Sequence, residues 1–160
     1  MIKTIGKTLD HINSVQGMML AVISELSYRS GVHDRSKFNE DELTGYARFE
    51  DMPEGLEYGS DEYKAAMAKV MKDNDCFKLH CKRNDHHPEH YPDPKDMPLF
   101  AVIEMVCDWA GATLTYGNKG SFMDGVEQNI ERYTFSYAQE WVIREVAELL
   151  VSLDSRLEEE

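Results

Sequence analysis

Cysteine and proline are scarce in this chain of 160 residues, and neither is spread evenly. The three cysteines, Cys76, Cys81 and Cys107, are an odd number in a chain large enough to bury a core without disulfide staples. With no signal-peptide pattern at the N-terminus, they read as reduced thiols of a cytoplasmic protein. Four of the five prolines fall between residues 88 and 98, which excludes a regular helix there and leaves the rest of the chain open to helices. Basic residues are also few, 17 against 30 acidic ones, for a net charge of −13. A surface of that sign repels phosphate backbones and anionic membranes, so neither a nucleic-acid polymer nor a membrane is an expected partner. A small anionic substrate is still compatible, because a bound cation reverses the local field. No segment alternates apolar and polar residues with the period of a strand. No apolar run reaches the roughly 18 residues that a membrane span needs.

What is present is helical periodicity. Ile2, Ile5, Leu9, Ile12, Met19, Ile23 and Leu26 recur at alternating steps of three and four, with Gln16 in one slot. The spacing predicts one long amphipathic helix over residues 2 to 29, burying one stripe and ended by Gly31. A short element carries His33, Asp34 and Lys37, and Asn39 is placed to cap a helix over 40–49. Pro53, Gly55 and Gly59 mark a loop, after which Ser60 caps a helix running to about His86. Residues 88–98 are an extended connection. From about Pro98 to Tyr116 the chain is apolar on nearly every side, which predicts a central helix. A turn at 117–120 and a short helix lead to a last helix, opened by a capping box of Ser136 and Gln139, with Val142, Val146, Leu149 and Leu153 inward. The expected fold is all-α, a single-domain bundle of about six helices.

Six histidines stand at positions 11, 33, 80, 86, 87 and 90. Were residues 80–87 helical, His80, Asn84 and His87 would share a face and present two imidazoles to one cation, with an amide beside them. A solvated polar surface is the competing reading of that cluster. Asp108 lies within the most apolar helix, where an ionised carboxylate requires a cation or several donors. Pairing with an arginine would also answer that need. His33-Asp34 can converge on one ion at a helix end, with Lys37 one turn beyond.

The order His11, His33-Asp34, Asp108 resembles the H…HD…D signature of the HD superfamily of metal-dependent phosphohydrolases. The run His33-Asp34-Arg35-Ser36-Lys37 is similar to the HD-x-x-K form of that motif. His80 and His86-His87-Pro88-Glu89 are similar to the extra histidines of HD members that hold two metals. The set HD-x-S-K, N-x-H-H-P-E-H-Y and C-D-W also resembles an HD-like family of bacteria and their phages. The resemblance covers residues 11 to 108. It implies His11, His33, Asp34 and Asp108 as ligands of a first divalent ion, and His80 with His86 or His87 as ligands of a second or as substrate-binding groups. It departs from the family in lacking the glycine-rich G-Y-P stretch and in carrying Ser36 where HD-x-G-K has glycine, so substrate class does not carry over.

The expectation is a metal-dependent phosphohydrolase of a small phosphorylated molecule, nucleotides foremost, using one or two ions of Mn, Co, Mg, Zn or Fe per chain. Asp34, Lys37 and Glu89 are the candidate catalytic groups, with Glu104 behind Glu89 for proton transfer. Lys37, Lys82, Arg83 and Asn84 are the candidate substrate contacts. A homo-oligomer is compatible with the sequence. Two alternatives stand beside this reading: a di-iron oxygenase on the same fold, and a non-enzymatic interaction module closed by zinc at Cys76, His80, Cys81 and His86 or His87.

Overall fold

The computed structural model describes residues 2–56, 60–117 and 120–158. The chain is all-α, with no strand among the described residues. It divides into two compact units, one ending at His33 and the other beginning at Asp34.

The first unit is a single helix, α1 (Ile2–Val32). Gly31 lies inside it rather than ending it. The last turn closes with the His33 N–H donating to the Arg29 carbonyl at 2.8 Å. The chain then leaves the helix at Asp34, whose φ of 56° lies in the left-handed region. Aspartate tolerates that region better than most side chains, which is why no glycine is needed at the stop. Taken by itself, α1 leaves its apolar stripe uncovered: Leu9, Ile12, Met19 and Ile23 are each more than half exposed. The burial expected of that stripe is absent from the unit.

The second unit holds six α-helices among its described residues. A 3-10 turn (Arg35–Phe38) leads into α2 (Glu40–Ala47). Asn39 precedes α2, but its side chain makes no capping bond. A further 3-10 turn (Arg48–Asp51) takes the place of the last turn expected of that helix. The helix expected from Ser60 to His86 is two helices, α3 (Asp61–Met71) and α4 (Cys76–Arg83). Ser60 caps α3 as expected, accepting from the Tyr63 N–H at 3.0 Å. The break falls at Asp73, with φ 59°, and Asn74. The Asn74 side chain accepts from the Cys76 N–H and donates to the Gly45 carbonyl, tying α4 to α2. A local polar side chain that offers the backbone such partners competes with helix continuation. Periodicity is blind to that competition.

Between residues 88 and 98 there is no α-helix, only 3-10 turns at Pro88–His90 and Pro94–Asp96. Then come α5 (Leu99–Tyr116), α6 (Phe122–Arg132) and α7 (Tyr137–Leu153), which pack together. Ala101, Val102, Met105, Val106 and Ala110 of α5 meet Phe122 and Val126 of α6 and Ile143 and Ala147 of α7 in one buried cluster. The Ser136–Gln139 capping box is formed. On α7 the inward stripe is centred on Ile143 and Ala147, while Leu149 and Leu153 are exposed. Val142 and Val146 pack against the core as expected, so the pattern placed the N-terminal half of the stripe and missed its C-terminal half on a helix that is apolar on several faces. By length and composition α5 could cross a membrane, the only such helix among the described residues, and the expectation of no membrane-length stretch is corrected there. It is also the helix that supplies the most side chains to the core.

Candidate metal centre

The site is built inside the second unit from four pieces: the turn at residues 34–38, α2, α4 with the chain just after it, and α5. Asp34 opens the first piece in its left-handed conformation. A non-glycine residue held there carries about 1–2 kcal/mol of local strain, of a kind that gathers at functional sites. His80 lies in the last turn of α4. The helix ends at Arg83, so His86 and His87 come from a turn, not from the helical face the spacing suggested. They nevertheless meet His80. The ring centroids of His80 and His87 are 4.8 Å apart, and those of His86 and His87 are 4.3 Å apart.

Asp34, His80, His86 and His87 each offer a ligand atom, all within 4.8 Å of one another. Asp34, His86 and Asp108 do the same. Donors at opposite vertices around one ion stand about 4.2 Å apart, twice a bond of roughly 2.1 Å, so the cluster is close to the size an ion requires. His80 Nε2 lies 3.0 Å from Asp34 Oδ1 without the alignment of a hydrogen bond. His87 Nε2 is buried with no hydrogen-bond partner. Atoms that face a common point but do not bond each other fit the coordination of a cation between them. The residues fit a divalent ion.

The far side of two rings is held by carboxylates. His80 Nδ1 is 3.0 Å from Glu42 Oε2, and both residues have essentially no exposed surface. His86 Nδ1 is 3.2 Å from Glu104 Oε1. A carboxylate at Nδ1 favours the tautomer with its proton there, leaving the Nε2 lone pair for a metal. Glu42 is itself held by Arg83 at 2.7 Å and by the Ser36 hydroxyl at 2.9 Å. Burial alone would raise the Glu42 pKa, but Arg83, His80 and Ser36 bring it below the ordinary value. Asp34 behaves alike: burial opposes its charge, and the facing His80 and His86 with Lys37 still hold it well below the carboxylate range. Burial and the adjacent His86 and His80 draw His87 down to about 4, which keeps it neutral near pH 7.

Of the expected metal ligands, Asp34, His80, His86, His87 and Asp108 come together. His33 is half-buried at the end of the first unit, one peptide bond before Asp34. His11 is exposed on α1, and no candidate metal group among the described residues includes it. It lies at the edge of the apolar stripe, beside Val15 and Met18, and it was the H…HD…D order that made it a candidate ligand.

The expected substrate contacts are redistributed. Lys37 pairs with Asp34 Oδ2 at 2.5 Å and lies over the Tyr46 ring, at the edge of the cluster. Arg83 is forked across Asp41 and Glu42, and so braces the site rather than facing a substrate. The Asn84 amide donates to the Ser36 hydroxyl and the His80 carbonyl, which also makes it a brace. Lys82 is exposed. The Glu89 carboxylate accepts from Tyr133 Oη at 2.5 Å and groups with Cys81 and His87. No group among the described residues unites Cys76 with Cys81, so the four-ligand zinc closure is not assembled. Glu42 is the residue the sequence did not disclose. A glutamate in the first turn of a short helix reads as solvated, and nothing local signals its burial. A cavity of about 200 Å³ between α5 and α6, lined by Trp109, Thr113, Phe122 and Asn129, contains no titratable side chain and is separate from this centre.

The chain belongs to DUF5662, a family of unknown function, whose profile matches residues 2–153. No curated protein and no solved structure matches it.

Proposed function

We propose that this protein is a metal-dependent phosphohydrolase of the HD type, acting on a small phosphorylated molecule such as a nucleotide. The observation that carries the reading is the convergence of Asp34 with the imidazoles of His80, His86 and His87, two of which are backed by carboxylates, the buried Glu42 and the half-buried Glu104. Asp34, His80, His86, His87 and Asp108 are the proposed ligands. His33, the residue before Asp34 in the HD dipeptide, is proposed with them. A divalent ion bound there would lower the pKa of a water and polarise a phosphoryl oxygen.

The chain's own groups supply the rest. Lys37, partly exposed and already at Asp34, is positioned to exchange that partner for a phosphoryl oxygen. Glu89 lies within 4.8 Å of a His87 ring nitrogen and is the proposed proton-transfer group. Tyr133 donates to Glu89 and fixes its orientation. On a chain of net charge −13, a cationic centre is what allows an anionic substrate to approach.

The two ligand groups share Asp34 and His86, an arrangement suited to two adjacent ions. That feature also favours the second reading, a di-iron oxygenase. The test is metal analysis of the purified protein with a phosphate-release screen over nucleotides in Mn, Co, Mg or Zn, alongside Asp34→Ala. Metal retention and phosphate release, both lost in the variant while helicity persists, support the hydrolase. Two irons per chain with dioxygen uptake and no phosphate release support the oxygenase. Phosphate release undiminished in the variant refutes the site.

A further inference from the structure

We propose that the apolar stripe of α1 is the interface through which this chain associates with a second copy of itself. The inference is independent of the chemistry assigned to the metal centre. From Ile5 the stripe runs through Leu9, Ile12, Gln16, Met19 and Ile23 to Leu26, in steps of four, three, four, three, four and three. That 3.5-residue average is the period of a helix paired along its length with another helix, and one polar residue at a core position is a register-setting device of such pairs.

Leu9, Ile12, Met19 and Ile23 are between 53% and 62% exposed, so the unit has not buried them. In proteins most of a helix's stability comes from packing its apolar face rather than from propensity. This one contains Gly6, Gly17 and Gly31, each costing about 1 kcal/mol relative to alanine. It therefore requires a covering surface.

Length and charge select the occupant. At 1.5 Å per residue, α1 is about 46 Å long, whereas α5 and α7, the next longest helices described, reach only about 27 and 25 Å. Only another α1 matches the seam from end to end. Residues 2–32 hold three basic groups (Lys3, Lys7, Arg29) and two acidic ones (Asp10, Glu25). The other 14 basic and 28 acidic residues leave the rest of the chain at −14. Two copies repel everywhere except along this nearly neutral helix.

The experiment is the solution mass of the full chain by light scattering or sedimentation, at about 50 µM, a range in which moderate self-affinity shows. The wild type is expected at twice 18.4 kDa or more, and I12E/I23E at 18.4 kDa. Ser14→Glu, on the opposite face of α1, is expected to keep the wild-type mass. A monomeric wild type, an assembled I12E/I23E, or a monomeric Ser14→Glu overturns the proposal. Should I12E/I23E fail to fold, Gln16→Leu decides instead. Removing the polar core residue is expected to let the assembly persist on about tenfold dilution past the wild-type midpoint, and a weaker assembly overturns it.

Discussion

His80 and Glu42 lie 38 residues apart in sequence and meet at 3.0 Å, the imidazole 1% exposed and the carboxylate fully buried. Neither is a tolerable buried group alone. Together, with Arg83 and Ser36 on the outer side of Glu42, they form a chain of hydrogen bonds from the surface to the centre of the ligand cluster.

The first prediction concerns that chain. Glu42→Gln leaves every proposed ligand in place but weakens the hold on the His80 ring. Affinity for Mn or Zn is expected to fall about 10–100-fold, as it does when a carboxylate behind a ligating histidine is lost. Arg83→Ala should shift it in the same direction by less. Competition titration with a chelating dye reads both, and unchanged affinity in Glu42→Gln contradicts the role.

A second prediction follows from the ligand set. A divalent ion at about 100 times its Kd adds about 2.7 kcal/mol to the folded state. For a protein of this size, at about 2–4 °C per kcal/mol, that is a rise of roughly 5–11 °C in Tm. His86→Ala should abolish the rise, because His86 belongs to both ligand groups. Calorimetry with and without metal checks it.

Acid should destabilise the metal-free protein through His87. Folding favours its neutral form, so its pKa is about 4 in the native state against an ordinary 6.5. Between those values the unfolded chain binds more protons, so stability rises with pH across that window and is fully recovered above it. The contribution is at most about 3 kcal/mol. Denaturant unfolding from pH 4 to 7 measures it, and His87→Gln should flatten the profile.

The fourth prediction is steric. A Cβ on Gly45 would overlap the Cys76 side chain and crowd Asn74 Oδ1, where α2 crosses α4. Gly45→Ala is expected to cost about 1–3 kcal/mol and to lower metal affinity as well, since Glu42 and His80 sit on those two helices. A variant of wild-type stability would show that the crossing is more yielding than its packing implies.

Much of this was legible in the sequence. The all-α class, the Ser60 cap, the Ser136–Gln139 box, the central apolar helix and the proline-rich connection all rest on interactions spanning a few residues, which local patterns encode. The family resemblance implied His11, His33, Asp34 and Asp108 around one ion and His80 with His86 or His87 around a second, and of these it was His11 that no candidate group among the described residues includes.

Other features were decided only by packing. The turn after Arg83 aims His87 at His80, though a continuous helix was the local expectation. Arg83 and Asn84 looked like substrate contacts because their partners, Asp41, Glu42 and Ser36, are more than 40 positions away. Glu42 appeared solvated for the same reason. The sequence by itself determined helices, caps and the inventory of metal-binding side chains, since these depend on near neighbours. Which of those side chains converge, which brace and which remain outside was settled by long-range contact of α2 with α4 and of the turn after α4 with α5, where burial makes a charged group either find a partner or not form.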